Sequence, residues 1–481
     1  MKKKKKRTQN KVFELIKIVL YFALVLISLL FLATVKNSLI FPGKYIALIA
    51  LVLLVVCIII LLFVLPKKYI LNIFGILLII ICSGGIIFAN YHINKSIKLI
   101  GSLFDDDVAI TTYYVAVFED SDVKDINGKK VAILNRNEDN VKKVLNSKYK
   151  IEIDSYMSIA DLTTMLGNKE VDAIVISDSV FEYINEEQEE NESKLIKLDE
   201  IVVESDVSKQ REEFDVNKPF LMYIGGIDGW HYQDGVKISD VGLADVNILA
   251  AVNPLEHKIL LINIPRDYYV QLHGTTGMRD KLTHAGMYGV EMSIMTIEDL
   301  FNLDIQTYVK VNYGAVVNLV NAIDGIDVYS DQAFYITSYP TANIKKGINH
   351  LNGDQALAFA RTRKVLDGGD RHRGQNQQAI IEAIIKKVAT NKKYLMKYEE
   401  LVTTLDPYFT TDFKAEDAQA LLKNQLETLS KWEVESIAVD GEGRGDYSYS
   451  FPKKMNYVME PNMETVRVAR EKILEILKEV E

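Results

Sequence analysis

The chain has 481 residues, 48% of them hydrophobic and 25% charged, with two cysteines and a formal net charge of −9. Modest glycine and proline and so few cysteines exclude collagen-like, disordered and disulfide-scaffold classes, and the length suggests two to three domains. The mean hydropathy of +0.05 averages two unlike parts: residues 1–100 hold 14 Lys and Arg against one acid, Glu14, for a net of +13, which leaves −22 for the other 381.

Three apolar runs come first, Val12–Val35, Leu39–Leu65 and Ile70–Ala89. Each approaches the roughly 20 residues that cross a bilayer as helix, and each is longer than the about 7–15 apolar residues of a signal peptide. Glu14 and Lys17 stand at the entry to the first run, where charged ends snorkel to the interface. The polar residues within the runs are few (Ser28, Ser83), so the segment reads as an anchor and not a transport path. The stretch Met1–Arg7 reads MKKKKKR and Lys67-Lys68 separates the second and third runs, whereas the first loop has only Lys36 and Lys44. The positive-inside rule then places the N-terminus and the Lys67 loop in the cytoplasm and everything after about Asn90 outside. Cys57 and Cys82 fall within the spans, which leaves the exported part without disulfide, thiol nucleophile or zinc knuckle.

Residues 105–214 alternate strands and helices. Thr112–Phe118 and VAILN, after the turn at Asn127-Gly128, read as strands, Ile159–Leu166 as a helix, VDAIVI (Val171–Ile176) as a buried strand, and Asn185–Ser193 as a loop. The pattern predicts a small α/β accessory domain. DINGKKVAIL followed by EVDAIVISDS resembles one lobe of the periplasmic solute-binding fold. Two readings stand: a small-ligand site, or a spacer or docking domain.

From Lys218 the alternation continues on a larger scale. PFLMYIGGID, Asp245–Asn253, Lys258–Ile264 and QTYVKVN read as strands, and His284–Asn302, Gly314–Ile323, Leu351–Arg361 and Gln375–Ala389 carry helical segments. The expected architecture is a sheet with helices on both faces, with ligand sites at the strand ends. Asp228 ends the first strand, Asp245 opens the second, and Arg266 and Asp267 end the third, with Lys281 in a following Gly-rich loop. Arg361 and Arg363 diverge by roughly 200° on a helix and converge only if the chain there is extended. Arg373 and Gln377 share a helix face at i,i+4, and Asp370 stands at the expected N-cap. Four arginines (361, 363, 371, 373) within thirteen residues, in an exported part of charge −22, form a phosphate-binding footprint. Carboxylates at strand ends suit Mg²⁺ shared with substrate phosphates, so the set points to phosphoryl transfer. No HExxH, GxSxG or P-loop occurs, and His231, His257, His273 and His284 are scattered. The charge sign disfavours nucleic acid.

At these residues the sequence resembles the LytR–CpsA–Psr family. The matching elements are Asn263-Ile264-Pro265-Arg266-Asp267, Lys281, Leu319–Val328, Leu351-Asn352-Gly353 with Gln355-Ala356-Leu357, Arg361-Thr362-Arg363, and Asp370 with Arg373 and Gln377. The apolar runs and the strand–helix alternation give an anchor of three transmembrane helices (1–98) and the accessory domain (105–214), and the resemblance implies an α/β/α-sandwich catalytic domain with a central mixed sheet (215–481). It implies a Mg²⁺-dependent transferase, with Mn²⁺ as an alternative, outside a Gram-positive cell. Such an enzyme moves a teichoic acid, capsule or other wall glycan from undecaprenyl diphosphate to a peptidoglycan hydroxyl, forming a phosphodiester and releasing undecaprenyl phosphate. Asp228 and Asp245 would hold the metal, with Asp234 a rival for the first. Arg266, Lys281, Arg361, Arg363, Arg373 and Gln377 would grip the diphosphate, with Arg266, Asp267 and Arg363 the catalytic set and Asp370 in support. Asp267 would orient an arginine or act near the acceptor hydroxyl, and the polyprenyl tail would enter an apolar channel between sheet and helices. The chain departs from the family pattern at Leu243-Ala244-Asp245, where RSD is usual, and at Asn376, where a second arginine is usual. A hydrolase of the same lipid diphosphate and a non-catalytic wall-polymer sensor are the alternatives.

Overall fold

The computed structural model describes residues 2–38, 40–66, 68–104, 108–135, 138–187, 193–206, 214–227, 241–336, 341–362, 370–391, 393–394, 397–405 and 408–478. They fall into two compact units, Met1–Asp105 with Lys414–Leu429, and Asp106–Phe413 with Ser430–Glu481.

The first unit holds α1 (Lys2–Asn37), α2 (Gly43–Val64) and α3 (Tyr69–Phe104). Three stretches, Val12–Asn37, Gly43–Val64 and Tyr69–Lys98, are long and apolar enough to cross a membrane. Leu24, Ile60, Val64, Ile79 and Ile86 pack between the helices, while Leu26, Leu30, Leu62 and Phe88 stay exposed, as a lipid-facing surface requires. The third helix runs past Ala89 because residues 90–104 contain no proline and a single glycine, Gly101. Lys17 is buried and pairs with Glu14 at 2.7 Å, one helical turn before it. The helix Ala415–Thr428 belongs to this unit, where Lys44 Nζ donates to the Glu427 carbonyl at 2.6 Å.

The second unit begins with a five-stranded accessory body: β1 (Val108–Phe118), β2 (Lys130–Leu134), α4 (Glu138–Lys148), β3 (Glu152–Tyr156), α5 (Ile159–Gly167), β4 (Ala173–Ser177), α6 (Asp178–Glu187) and β5 (Leu195–Asp206). The order is β3-β2-β4-β1-β5, with β2 parallel to β3 and β4 and β1 antiparallel to β4 and β5. The two strands without a clear sequence signal, β3 (EIDSY) and β5 (LIKLDEIVVESD), are the sheet edges, where charged residues blunt an unpaired ladder.

The larger body carries β6 (Phe220–Ile227), β7 (Ala244–Asn253), β8 (Lys258–Asn263), β9 (Tyr269–Val270), β10 (Asp280–Lys281), α7 (Leu282–Ala285), α8 (Val290–Phe301), β11 (Thr307–Asn312), α9 (Tyr313–Ala322), β12 (Ile326–Ser330), β13 (Phe334–Ile336), β14 (Ala342–Ile344), β15 (Gly347–Leu351), α10 (Gly353–Arg361) and α11 (Asp370–Thr390). The helix Tyr398–Leu405, β16 (Phe409–Thr411), β17 (Glu433–Ala438), β18 (Gly441–Tyr447), β19 (Met455–Pro461) and the helix Met463–Ile476 follow. Its mixed sheet has the order β16-β11-β6-β7-β8-β17. Leu221, Tyr223, Leu249, Ala251, Leu260 and Ile262 pack against Ile294, Ile297, Phe301, Val466 and Ile473. The strand alternation turns the intervening residues to the other face, where Gln378 of α11 donates to the Leu261 and Ile437 carbonyls. A second apolar cluster of Val320, Ile326, Phe334, Phe359 and Ile380 lies among α9, α10, α11 and the hairpins. The helix expected over His284–Asn302 is broken at Gly289, which sits at φ 103, a conformation only glycine adopts without strain.

Candidate active site

Parallel pairing of β6 with β11 and of β8 with β17, with β7 antiparallel to both its neighbours, brings the C-terminal ends of four strands and the N-terminal end of β7 to one edge. Strand β8 leaves the sheet through Pro265, whose carbonyl accepts from the Tyr268 N–H at 3.1 Å. Arg266 and Asp267 are the two central residues of that turn. The returning segment lies alongside: Lys281 pairs opposite Tyr269, and the Thr283 N–H donates to the Arg266 carbonyl at 2.8 Å.

This arrangement gathers four of the expected residues into a row of alternating charge. Arg266 Nη1 is 2.5 Å from Asp245 Oδ1 and Lys281 Nζ is 2.6 Å from Asp267 Oδ1, with Arg266 Nε 3.9 Å from Asp267. The Asp245 and Arg266 side chains are 13% and 22% exposed, open to a ligand, whereas Asp267 at 6% lies behind them. Lys281, expected on a loop, sits on β10 because the neighbouring Asp280 carboxylate is buried and accepts the Lys281 N–H at 2.8 Å.

The start of β7 is held by Asn247, which donates to the Ala244 carbonyl at 2.9 Å and accepts from the Tyr223 hydroxyl at 2.8 Å. Burial pushes the Tyr223 phenol up, so it remains a donor. Asn247 was not read as a site residue. Its signal is an amide standing between Val246 and the apolar run Ile248–Val252.

Helix α10 starts in a capping box between Asn352 and Gln355 and ends at Arg361, after which Thr362 is extended (ψ 126). The chain thus leaves the helix where convergence of Arg361 and Arg363 requires it. The Arg361 guanidinium lies 4.5 Å over the Tyr313 ring, just past the end of β11. Helix α11 approaches β8 so closely that a Cβ on Gly374 would stand 2.2 Å from Asn263 Nδ2, at the last residue of that strand. Its first turns, with Arg373 and Gln377, therefore stand at the same edge. Asn376 faces inward and donates to the Phe359 carbonyl at 3.1 Å. Helix α11 begins at Asp370 itself, which was expected as the N-cap. Asp228, Asp234 and Arg363 lie outside the described residues, as do the side chains of Asp370 and Arg371.

No cluster of three or more His, Cys, Asp or Glu forms a metal cage among the described residues. Mg²⁺ needs none, since it binds through one or two carboxylates plus substrate phosphates. Asp245 offers such a donor: its Oδ1 meets Arg266 and Thr283, and Oδ2 accepts no hydrogen bond among the described residues. One carboxylate oxygen of this kind is chemically compatible with the ion.

A mixed sheet bearing a cation–carboxylate row at its strand ends, in a chain with three helices long and apolar enough to cross a membrane, defines a membrane-anchored α/β protein. Residues 179–465, more than half of the chain, match the LytR_cpsA_psr family, and the chain belongs to it. It is 32% identical over 242 residues to the polyisoprenyl-teichoic acid–peptidoglycan teichoic acid transferase TagU of Bacillus cereus, covering 50% of this chain and 76% of that one. It is 29% identical over 242 residues to the Enterococcus faecalis protein of the same name, covering 50% and 77%. Among solved structures, B. subtilis TagV is similar at 26% identity and a TM-score of 0.46, covering 55% of this chain and 99% of that one. A structure of TagT bound to LI-WTA is similar at 26% identity and a TM-score of 0.43, covering 55% and 94%. The protein is an enzyme of the transferase class.

Gly374→Ala is expected to push the first turns of α11 away from β8 and misplace Arg373 and Gln377. A displacement of this kind costs about tenfold to a hundredfold in turnover. The check is steady-state transfer kinetics alongside an unchanged far-ultraviolet circular dichroism spectrum.

Proposed function

We propose that the protein transfers a wall glycopolymer from a polyprenyl-diphosphate carrier to a peptidoglycan hydroxyl on the outer side of the membrane. The observation that carries this reading is the Asp245–Arg266–Asp267–Lys281 row at the strand ends. Its formal charge is zero, so attraction for a diphosphate rests on the arginines added around it, Arg361, Arg363 and Arg373. Arg266 and Lys281 present donors to the phosphate oxygens, and Asp267, buried behind both, orients them. Gln377 adds an uncharged donor. Asp245, with Asp228 as its partner, would hold Mg²⁺, which when bound neutralises charge on the diphosphate.

The acceptor oxygen bonds to the sugar-proximal phosphorus, the bridging P–O bond breaks, and the acceptor's proton passes to the departing polyprenyl phosphate. The products are a glycan–peptidoglycan phosphodiester and polyprenyl phosphate. Little covalent work falls to the protein, which positions the reactants and spreads charge. The prenyl tail would enter an apolar channel between sheet and helices. The basic N-terminus and the Lys67-Lys68 loop favour a cytoplasmic start, which leaves the larger body outside after three crossings.

The test is the purified full chain in detergent with Mg²⁺, a polyprenyl-diphosphate glycan and peptidoglycan fragments. A glycan–peptidoglycan adduct is the expected product. Free phosphorylated glycan in its place would mean hydrolysis, and tight donor binding without turnover would mean a sensor; either result overturns the reading.

A further inference from the structure

A polar chain, buried except at the half-buried Tyr183, links the accessory body to the residue beside Lys281. The Ile159 N–H, at the start of α5, donates to the Tyr288 hydroxyl at 3.3 Å. Tyr288 is buried, its phenol pushed up by that burial, and it donates to Ser450 Oγ, 2.8 Å away, because the single Ser450 hydroxyl proton is committed to Asp280. Ser450 donates from Oγ at 2.5 Å and from its N–H at 3.0 Å to Asp280 Oδ2. Asp280 Oδ1 accepts from the Lys281 N–H at 2.8 Å and from His284 Nδ1 at 2.6 Å. All four acceptor positions of the carboxylate are then filled. With Nδ1 donating to Asp280, His284 Nε2 faces the Tyr183 hydroxyl of α6, 3.1 Å away. Phe451 closes the space, its ring 5.1 Å from His284 and 5.2 Å from Tyr183. Asp280 and His284 have no exposed surface.

Lys281 therefore hangs between two carboxylates, its N–H on buried Asp280 and its Nζ on Asp267. We infer that Tyr183, through His284 and Asp280, is a positioning residue for Lys281, so that the accessory body sets the geometry of the diphosphate grip. The inference rests on the reading of that row as a diphosphate site. Removing the Tyr183 hydroxyl leaves His284 Nε2 buried without a partner, and the imidazole must shift or tilt. The shift passes to Asp280 and to the backbone of Lys281, because a packed, fully bonded network relaxes as a unit.

The test is donor kinetics of the full chain in detergent, with Mg²⁺, peptidoglycan fragments and a polyprenyl-diphosphate glycan, for wild type, Tyr183→Phe, Lys281→Ala and the double variant. Tyr183→Phe is expected to raise KM for the donor about fivefold with kcat changed less than about twofold. In the Lys281→Ala background the same change is expected to have no further effect on KM, since its route is gone. His284→Asn keeps an amide near Asp280 and severs the link to Tyr183; it is expected to show the same KM shift, and it carries the test where Tyr183→Phe folds poorly. Unchanged KM, or effects of Tyr183→Phe and Lys281→Ala that multiply, would overturn the inference while wild-type turnover keeps the function. A wild type without turnover would overturn both.

Discussion

Arg266→Ala is expected to lower kcat/KM for a polyprenyl-diphosphate glycan by about 10²–10³-fold, the cost of losing one preorganised donor to developing phosphate charge. Two effects combine. Arg266 lies between Asp245 at 2.5 Å and Asp267 at 3.9 Å, so its removal takes away a donor and also leaves two partly or wholly buried carboxylates short of a cation. Their repulsion of the diphosphate then adds to the lost contact. Arg266→Lys keeps the charge but not the fork that reaches Asp245 and a phosphate together, so it is expected to recover only part of the loss. Steady-state kinetics on the full chain with Mg²⁺ present decide the matter, and wild-type rates in Arg266→Ala would remove Arg266 from the site.

The second large effect concerns stability. Asp280→Ala is expected to destabilise the accessory and larger bodies by about 3–5 kcal/mol, the range for breaking a buried charged network from one side. Four donors lose their acceptor at once: the Lys281 and Ser450 N–H groups, Ser450 Oγ and His284 Nδ1. None of them gains water, since Asp280 and His284 are fully buried and Ser450 nearly so. Urea unfolding followed by circular dichroism measures the change, and an unshifted midpoint in Asp280→Ala would contradict this account of the network.

Much of the site was legible because its residues sit in local patterns. A proline followed by Arg266 and Asp267 after an apolar run marks a strand ending in a turn, and Asp245 before VNILAAVN marks the start of the next strand. The buried network was not legible. His284 reads as one of several scattered histidines, since its partner Tyr183 lies 101 residues away, and Asp280 reaches Ser450 across 170 residues. Such pairings come from tertiary packing, which no local window contains. The edge strands β3 and β5 were missed for a related reason, their charges mimicking loop composition. The two departures from the family pattern also look different in the fold. Asn376 ties α11 to α10 through the Phe359 carbonyl, and Leu243 packs against the main apolar cluster. In this chain both positions serve packing and not a phosphate contact.

The central claim is that the strand-end row acts on the diphosphate itself. The most direct measurement uses a polyprenyl-diphosphate glycan carrying radioactive phosphorus only at the sugar-proximal position, incubated with the full chain, Mg²⁺ and peptidoglycan fragments. Phosphodiester transfer predicts that the label moves into peptidoglycan and that unlabelled polyprenyl phosphate accumulates. Label that stays with the lipid while glycan reaches peptidoglycan would mean cleavage at the sugar–oxygen bond, and would contradict the account.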